Sequence, residues 1–345
     1  MSPKTRRFPW ATWSDEQLLQ LRIKDLGLTI EGTWLAPRID SLYERLERRG
    51  FRFRPNIWLS EEWFSPQGVP GFAIPFYLAH PRLIRLERSQ MLDVEGGTRE
   101  EFRRIMRHET GHAIQHGYQL QRQRRWQRLF GKSSKRYPEY YRPNPASKRY
   151  VQHLRLWYAQ SHPDEDFAET FAVWLRGSRG EWRKRYAGWP ALKKLEYVDE
   201  LMNEIADTRP LVTTRQRLDP VRTLTKTLAQ HYAERKAKYT EVLPDIYDRD
   251  LRRIFSDSPA HRNQPLASAF LRRNRTEIRR MVAKWTGEYE FTLDVVLGQM
   301  LRRARELRLR AVGGDRQLRM DFAVLLTVQT MHFLYTEGRR DWIAL

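Results

Sequence analysis

The sequence contains no cysteine among its 345 residues. Disulfide bonds and thiolate metal ligands are therefore excluded, so any metal ion must be held by histidine, aspartate or glutamate. Long apolar runs are also missing, since the best run, residues 322–328, is far shorter than the roughly 20 residues of a membrane helix. The basic N-terminal stretch, residues 1–15, lacks the apolar core of a signal peptide. We therefore expect a soluble, cytoplasmic protein without a membrane span.

Acidic residues are outnumbered by basic ones, 42 to 63, which gives a net charge of +21. Such a charge attracts acidic partners, whether nucleic acid, anionic lipid headgroups or acidic proteins. It does not choose among them, and an arginine-rich surface without any such partner is an equally good interpretation. Hydrophobic residues make up 40% of the chain, enough for a buried core in one large domain or two smaller ones.

The first half of the chain carries patterns of both helices and strands. Short extended segments, separated by proline and glycine, are predicted at residues 51–60, 72–78 and 82–86. Pro75 is typical of an edge strand. Helical spacing is found at residues 34–50, and Thr98 begins a capping box that opens a helix to about residue 117. After about residue 206 the pattern is helical nearly throughout, with apolar positions that include Phe270, Ile278 and Trp285 in one helix and Phe322 in a later one.

The run His108-Glu109-Thr110-Gly111-His112 carries the strongest chemical signal. Helix positions i and i+4 lie on one face, so His108 and His112 can approach one metal ion, with Glu109 beside them as a base for water. The competing interpretation is a buried helix with two hydrogen-bonded histidines. Gly111 in mid-helix costs about 1 kcal/mol relative to alanine and therefore needs a reason, such as close backbone packing.

Two histidines leave a zinc site one protein ligand short. His116 is a poor third ligand, because a further helical turn carries it roughly 6 Å along the axis. A second acidic helix, predicted from residue 163 to Gly177, offers Glu165 and Glu169 as alternatives. Its two aspartates are better interpreted as charges at the helix N-terminus, and His162 as the residue that caps the helix and not as one that lines the cleft.

Residues 161–172, which read SHPDEDFAETFA, resemble the HPxEDxAETxA block of a bacterial family of zinc-binding metallopeptidases that also carry an upstream HExGH. The likeness spans roughly residues 34–175. The same block is similar to the lethal-factor-like branch of gluzincins. In that branch the first glutamate of an ExFAExF run binds zinc, and a tyrosine seven residues earlier faces the substrate carbonyl.

The resemblance implies roles for individual residues of this sequence. His108, His112 and Glu165 would be zinc ligands, Glu109 the general base, and Tyr158 the stabiliser of the oxyanion. Glu169 would either orient a ligand histidine or be the true third ligand. Tyr158 would otherwise be an ordinary core residue of its helix.

The fold expected from the resemblance is an α+β zincin-like metallopeptidase domain, with a small mixed sheet and active-site helices. We predict this domain at residues 34–205, after an N-terminal segment 1–33 and before an all-α C-terminal domain 206–345. The cysteine-rich segment with which such proteins often begin is absent here. The C-terminal third also lies outside the likeness.

The leading hypothesis is a zinc peptidase whose protein or peptide substrate lies extended along an edge strand within residues 72–86. The second is a basic nucleic-acid-binding protein that uses the zincin fold as a scaffold. Its evidence is the connector 121–150, which has ten basic residues and one acid. Aromatic residues able to stack on bases are interleaved there, namely Trp126, Phe130, Tyr137, Tyr140 and Tyr141. The third is a latent regulatory protease controlled by the C-terminal helices.

Overall fold

The computed structural model describes residues 8–138, 141, 144, 146–237 and 247–336, and includes the side chains except at 155, 156 and 332–336. The chain divides into two compact units. The first unit contains the described residues that lie within 8–87 and 94–229, and the second those within 88–93 and 230–336. No helix in these ranges is long and apolar enough to cross a membrane. The domain limits at 33/34 and 205/206 stay predictions.

The described residues are mostly helical, with one small sheet. The α-helices are α1 (Asp15–Leu19), α2 (Ala36–Arg48), α3 (Pro81–Met91), α4 (Arg99–Tyr118), α5 (Arg124–Phe130), α6 (Pro163–Arg176), α7 (Arg179–Arg185), α8 (Ala191–Ile205), α9 (Leu228–Ala237), α10 (Asp248–Ile254), α11 (Ala267–Thr286), α12 (Glu290–Glu306) and α13 (Asp315–Thr336). The strands are β1 (Asn56–Ser60) and β2 (Gly71–Pro75).

The sheet is parallel, with Asn56 of β1 opposite Gly71 of β2. A mixed sheet was expected, but the only antiparallel element beside β2 in the described residues is one bridge from Ala73 to Phe64. The Ala73 N–H donates to the Phe64 carbonyl at 2.8 Å, so part of the outer edge of β2 is already occupied.

Side chains at alternate positions of β1 hold a later segment of the chain against the sheet. The donors are Asn56, Trp58 and Ser60, which donate to backbone carbonyls within residues 215–219 at 2.7–3.4 Å. These three residues share one face of the strand because side chains alternate along it. Residues 215–219 therefore pack on the first unit, beyond the domain limit predicted at 205.

The strand predicted at residues 82–86 is wrong, because these residues belong to α3. Pro81 occupies the first helical position, where its missing N–H costs nothing, and the His80 imidazole accepts the Arg82 N–H at 3.1 Å. Leu83 and Leu86 are fully buried at a spacing of three residues, which suits a helix better than a strand. The extended part of residues 72–78 likewise ends at Pro75, where a 3-10 turn begins.

Helices α4 and α6 approach each other with their backbones almost in contact. A methyl group built on Gly111 would lie 2.8 Å from the Ala168 Cα atom, which is closer than atoms tolerate. The glycine in mid-helix thus has the packing reason that its cost predicted. Glu165 lies one turn before Ala168, so this contact brings its carboxylate to the histidine face of α4.

The opposite side of α6 is fixed by α8. The Lys194 ammonium lies 2.5 Å from Asp166, and both groups are buried. Trp174 donates its indole N–H to Asp199 at 2.9 Å. Since buried charges need partners, these contacts restrict both the position and the rotation of α6.

The second unit has its own apolar core, formed by α10 to α13. The predicted core positions Phe270, Ile278 and Phe322 are buried there, but Trp285 is 79% exposed. Helices dominate this region as predicted.

The Gly111–Ala168 contact can be tested by adding one methyl group. We expect Gly111→Ala to lower the free energy of unfolding of the metal-free protein by about 1–2 kcal/mol, because overpacking outweighs the better helix propensity of alanine. Chemical denaturation gives this value.

Gly180→Ala is the matched control. Gly180 is also helical, but a methyl group there meets nothing within 4 Å. This variant should be as stable as the wild type or gain up to about 1 kcal/mol. An unchanged or increased stability in Gly111→Ala would contradict the packing account.

Candidate metal centre

Two buried histidines of α4 face the same point in the interior of the first unit. His108 is 0% and His112 is 8% exposed. Their Nε2 atoms lie 3.1 Å apart, as the spacing of four residues predicts. Neither nitrogen therefore faces bulk water.

Glu165 of α6 completes this arrangement. Its Oε2 atom lies 3.0 Å from the His108 Nε2 atom and 3.1 Å from the His112 Nε2 atom. The side chains converge although Glu165 lies 53 residues after His112 in the sequence. Among the described residues, these three form the one group of histidine and acidic ligand atoms close enough to share a metal ion.

The three atoms fit a zinc ion. Zinc bonds to nitrogen and oxygen are about 2.0–2.2 Å long, so neighbouring ligand atoms in a tetrahedral shell lie roughly 3.3–3.5 Å apart. The observed separations of 3.0–3.1 Å are slightly shorter and would open by a few tenths of an ångström. Two imidazoles and one carboxylate are also the donor set of known catalytic zinc sites, which keep a fourth position free.

The electrostatics of this cluster favour a cation. Burial disfavours a charged imidazole, but hydrogen bonds that its ring donates to Glu165 and Glu169 outweigh this effect and raise the pKa of His108 to about 10. Burial also opposes ionisation of Glu165, yet the neighbouring histidines hold its pKa well below the usual range. The negative potential that stabilises a proton here would also stabilise a metal ion.

Glu169 contacts the outer nitrogen of His108. Its Oε1 atom accepts from Nδ1 at 2.9 Å, while Oε2 accepts the Leu154 N–H at 2.8 Å. A proton on Nδ1 leaves the Nε2 lone pair available to a metal ion, so the Glu169 carboxylate selects the tautomer that can bind metal. Of the two glutamates left open by the sequence, the structure places Glu165 with the Nε2 atoms and Glu169 behind His108.

Glu109 lies beside the cluster and is 2% exposed. The Ser65 hydroxyl donates to its Oε2 atom at 2.8 Å. Burial raises the pKa of Glu109, against the smaller opposing effect of the two histidines. A carboxylate with a raised pKa holds a proton more readily, which suits a general base. Ser65 was absent from the predicted site, because a lone serine in a loop carries no sequence signal.

Tyr158 is buried beside His108, with 5.6 Å between the two ring centroids. It belongs to a 3-10 turn, Arg155–Gln160, in which Trp157 adopts a positive φ of 52°. Burial and the nearby Glu165 raise its pKa well above the usual value, so its hydroxyl stays protonated and can donate. The predicted residue is thus near the cluster, whereas its role in stabilising an oxyanion stays a prediction.

Tyr137 was predicted only as one of the aromatic residues of the basic connector, yet it reaches the cluster. Its hydroxyl donates to the Oε1 atom of Glu165 at 2.8 Å, and its ring stacks on His162 at 3.8 Å. His162 caps α6, as the sequence predicted, by accepting the Asp164 N–H at 3.2 Å. No spacing rule links a loop tyrosine to a glutamate 28 residues later, so sequence reasoning missed this contact.

His116 is buried away from the three ligand atoms, in agreement with its predicted unsuitability as a ligand. Burial, followed by the proximity of His112, lowers its pKa to about 4. It is therefore neutral at physiological pH.

Comparison with known proteins supports a metal-binding interpretation of this segment. Residues 96–179 match the family model described as "Putative zinc-binding metallo-peptidase". The match covers about a quarter of the 345-residue chain and includes α4, α6 and all three ligand candidates. It agrees with the resemblance inferred from the HExGH and EDFAE runs. Neither a curated protein nor a solved structure matches the chain significantly.

The contact behind His108 makes a testable prediction. Glu169→Gln should weaken zinc binding by about 10- to 100-fold, because an amide holds the Nδ1 proton less strongly than a carboxylate does. Competition with a chromogenic chelator measures the dissociation constant.

Asp166→Asn is the matched control, since Asp166 is a buried acid of the same helix that bonds Lys194 instead of the cluster. It should change stability more than zinc affinity. Equal zinc affinity in Glu169→Gln and the wild type would show that Glu169 does not orient the ligand.

Proposed function

We propose that this protein is a zinc-dependent peptidase of the gluzincin type. The observation that carries the proposal is the convergence of the His108, His112 and Glu165 ligand atoms within 3.0–3.1 Å of one another in the segment that matches the metallopeptidase family. Hydrolysis of a non-peptide amide would use the same residues. The choice of a peptide bond rests on the family match.

His108, His112 and Glu165 would hold the metal ion. Bound there, zinc supplies Lewis acidity, which lowers the pKa of a water molecule and polarises a carbonyl group. Glu169 keeps the His108 tautomer that presents Nε2 to the ion. The histidines and Glu165 are at most 8% exposed, so their geometry is set by packing before any substrate arrives.

Glu109 is the general base of this proposal. It accepts a proton from the attacking water and passes it to the nitrogen of the leaving group. Its raised pKa brings its proton affinity closer to that needed for both transfers. Ser65 fixes the carboxylate through Oε2, which leaves Oε1 to meet the water.

Tyr158 is the proposed donor to the carbonyl oxygen as negative charge develops on it. Its raised pKa keeps the hydroxyl protonated and so able to donate. This role comes from the lethal-factor-like resemblance, and the burial of Tyr158 beside His108 supports it.

The substrate path is also a proposal. An extended peptide would pair with the free backbone groups of β2, but the strand is only five residues long and Phe64 already bonds Ala73. The segment that could pair with a peptide is therefore shorter than residues 72–86. Cytoplasmic localisation and latency imposed by the C-terminal helices stay predictions.

The base can be separated from the metal site by one substitution. Glu109→Gln should retain one zinc per chain and lose hydrolysis by a factor of about 10² or more, because the amide cannot accept the proton. Digestion of a peptide library, read by mass spectrometry, measures the cleavage rate and the bond type together.

The control is Glu100→Gln, an exposed acid in the first turn of the same helix. It should cleave like the wild type. If Glu109→Gln cleaves the peptide library as fast as this control does, the measured hydrolysis does not come from the proposed site.

A second candidate function is binding of an anionic partner, for which the structure offers a different surface from the predicted connector. Two of the aromatic residues proposed to stack on bases, Trp126 and Phe130, pack in the core against Phe167 instead. Tyr137 is bonded to Glu165, and Tyr140 lies outside the described residues. The stacking function proposed for the connector therefore has little support.

An arginine-lined groove of about 800 Å³ lies elsewhere in the first unit. Its charged lining residues are Arg52, Arg54, Arg209, Arg215, Arg217 and Asp207. Arg54 pairs with Glu47, whereas Arg52, Arg209 and Arg215 have no ion pair among the described residues. Arginine clusters of this kind favour phosphate and carboxylate groups.

The groove and the connector can be compared directly. We expect the double variant Arg209→Ala/Arg215→Ala to elute from heparin, and to release single-stranded DNA, at lower salt than the wild type. The connector variant Arg124→Ala/Arg128→Ala has the same loss of charge and should change elution less. Equal shifts in both variants would indicate attraction by net charge without a groove site.

A further inference from the structure

Residues 131–137, which we call the strap, run across the N-terminal end of α6. Gly131 adopts a φ of +111°, and a methyl group there would lie 3.2 Å from Pro163. The Ser133 hydroxyl donates to Asp164 at 2.9 Å. The strap thus follows the helix end closely before it reaches the cluster.

His162 anchors the far end of the strap. Its Nε2–H donates to the Lys135 carbonyl at 2.9 Å, while its Nδ1 atom accepts the Asp164 N–H. The Tyr137 ring lies flat on the same imidazole, with an interplanar angle of 15°. One residue therefore caps α6 and fixes both the backbone and the ring of the strap.

These contacts divide the two oxygen atoms of Glu165 between different partners. Oε2 faces the two Nε2 atoms at 3.0 and 3.1 Å, and Oε1 accepts the Tyr137 hydroxyl at 2.8 Å. Without such a donor, a carboxylate can turn and offer both oxygens to a cation. The second oxygen would then add a fifth ligand to a site that, with two imidazoles, one carboxylate oxygen and an open position for water, is four-coordinate in catalytic zinc sites.

We propose that Tyr137 is a positioning residue that makes Glu165 a one-oxygen zinc ligand. The inference rests on the proposed metal site and adds to it a constraint from outside the HExGH and EDFAE runs. Tyr137 acts through Glu165 without touching the metal. Its role differs from that of Tyr158, which is placed against His108.

Because Tyr137 is partly exposed, its hydroxyl can be removed by substitution without loss of the fold. The residue is 49% exposed, whereas Glu165 is 4% exposed. The hydroxyl end thus enters the site while much of the ring remains in solvent. Phenylalanine preserves the stacking on His162 and removes the hydrogen bond alone.

Tyr137→Phe should weaken zinc binding by about tenfold or more, as expected when a partner of a ligand is lost. Chelator competition measures this change. The cobalt-substituted variant should also show weaker visible absorption than the wild type, because a second bond from Glu165 raises the coordination number above four. Neither readout depends on hydrolysis.

Tyr150→Phe is the matched control. Tyr150 lies in the same basic connector, with its ring 4.4 Å from the Lys194 ammonium and no contact with the three ligands. It should bind zinc and absorb light like the wild type. Thermal melting of the metal-free variants checks that both fold.

Unchanged zinc affinity and an unchanged cobalt spectrum in Tyr137→Phe would overturn the inference. X-ray absorption of the zinc-loaded wild type provides a test that needs no variant. It should show four nitrogen or oxygen neighbours, and a fifth neighbour from the second oxygen of Glu165 would overturn the proposal. A wild type that binds no zinc would refute the proposed metal site itself, which is a different result.

Discussion

The close approach of α4 and α6 at Gly111 and Ala168 is the constraint on which the rest of the site depends. Only a residue without a side chain allows the two backbones to come this near. The approach brings Glu165 to the two histidines, although it lies 53 residues after His112. The contacts of α6 with α8 then hold the second helix in place from behind. The packing of these helices therefore sets the positions of the three ligand side chains.

Environment gives neighbouring glutamates different proton affinities. Burial raises the pKa of Glu109, whereas the two histidines overcome the effect of burial at Glu165 and lower its pKa. The first is suited to take up and release a proton, and the second to remain a charged ligand. Glu169 is also buried, but its hydrogen bond to His108, together with the effects of His153 and the Leu154 N–H, outweighs burial and lowers its pKa. Three buried glutamates so close together need a cation or a proton to balance their negative charge.

The parts of this site that follow local rules could be predicted from the sequence. Helical spacing identified His108 and His112, and the mid-helix cost of Gly111 predicted its packing. The choice between Glu165 and Glu169 needed either a family resemblance or the fold, because both lie on the same acidic helix. Tyr137 reaches the site through a loop whose path depends on tertiary contacts. In the fold, residues 82–86 were mistaken for a strand because a short apolar run fits both periods.

The central claim is that this chain holds one zinc ion between α4 and α6. It is tested most directly by titrating zinc into chelator-treated protein and counting bound ions by calorimetry and elemental analysis. The account predicts one tight site per chain in the wild type, and its loss when His112 and Glu165 are both replaced by alanine in a protein that remains helical. A wild type without a stoichiometric site, or a double variant that still binds one zinc tightly, would contradict it.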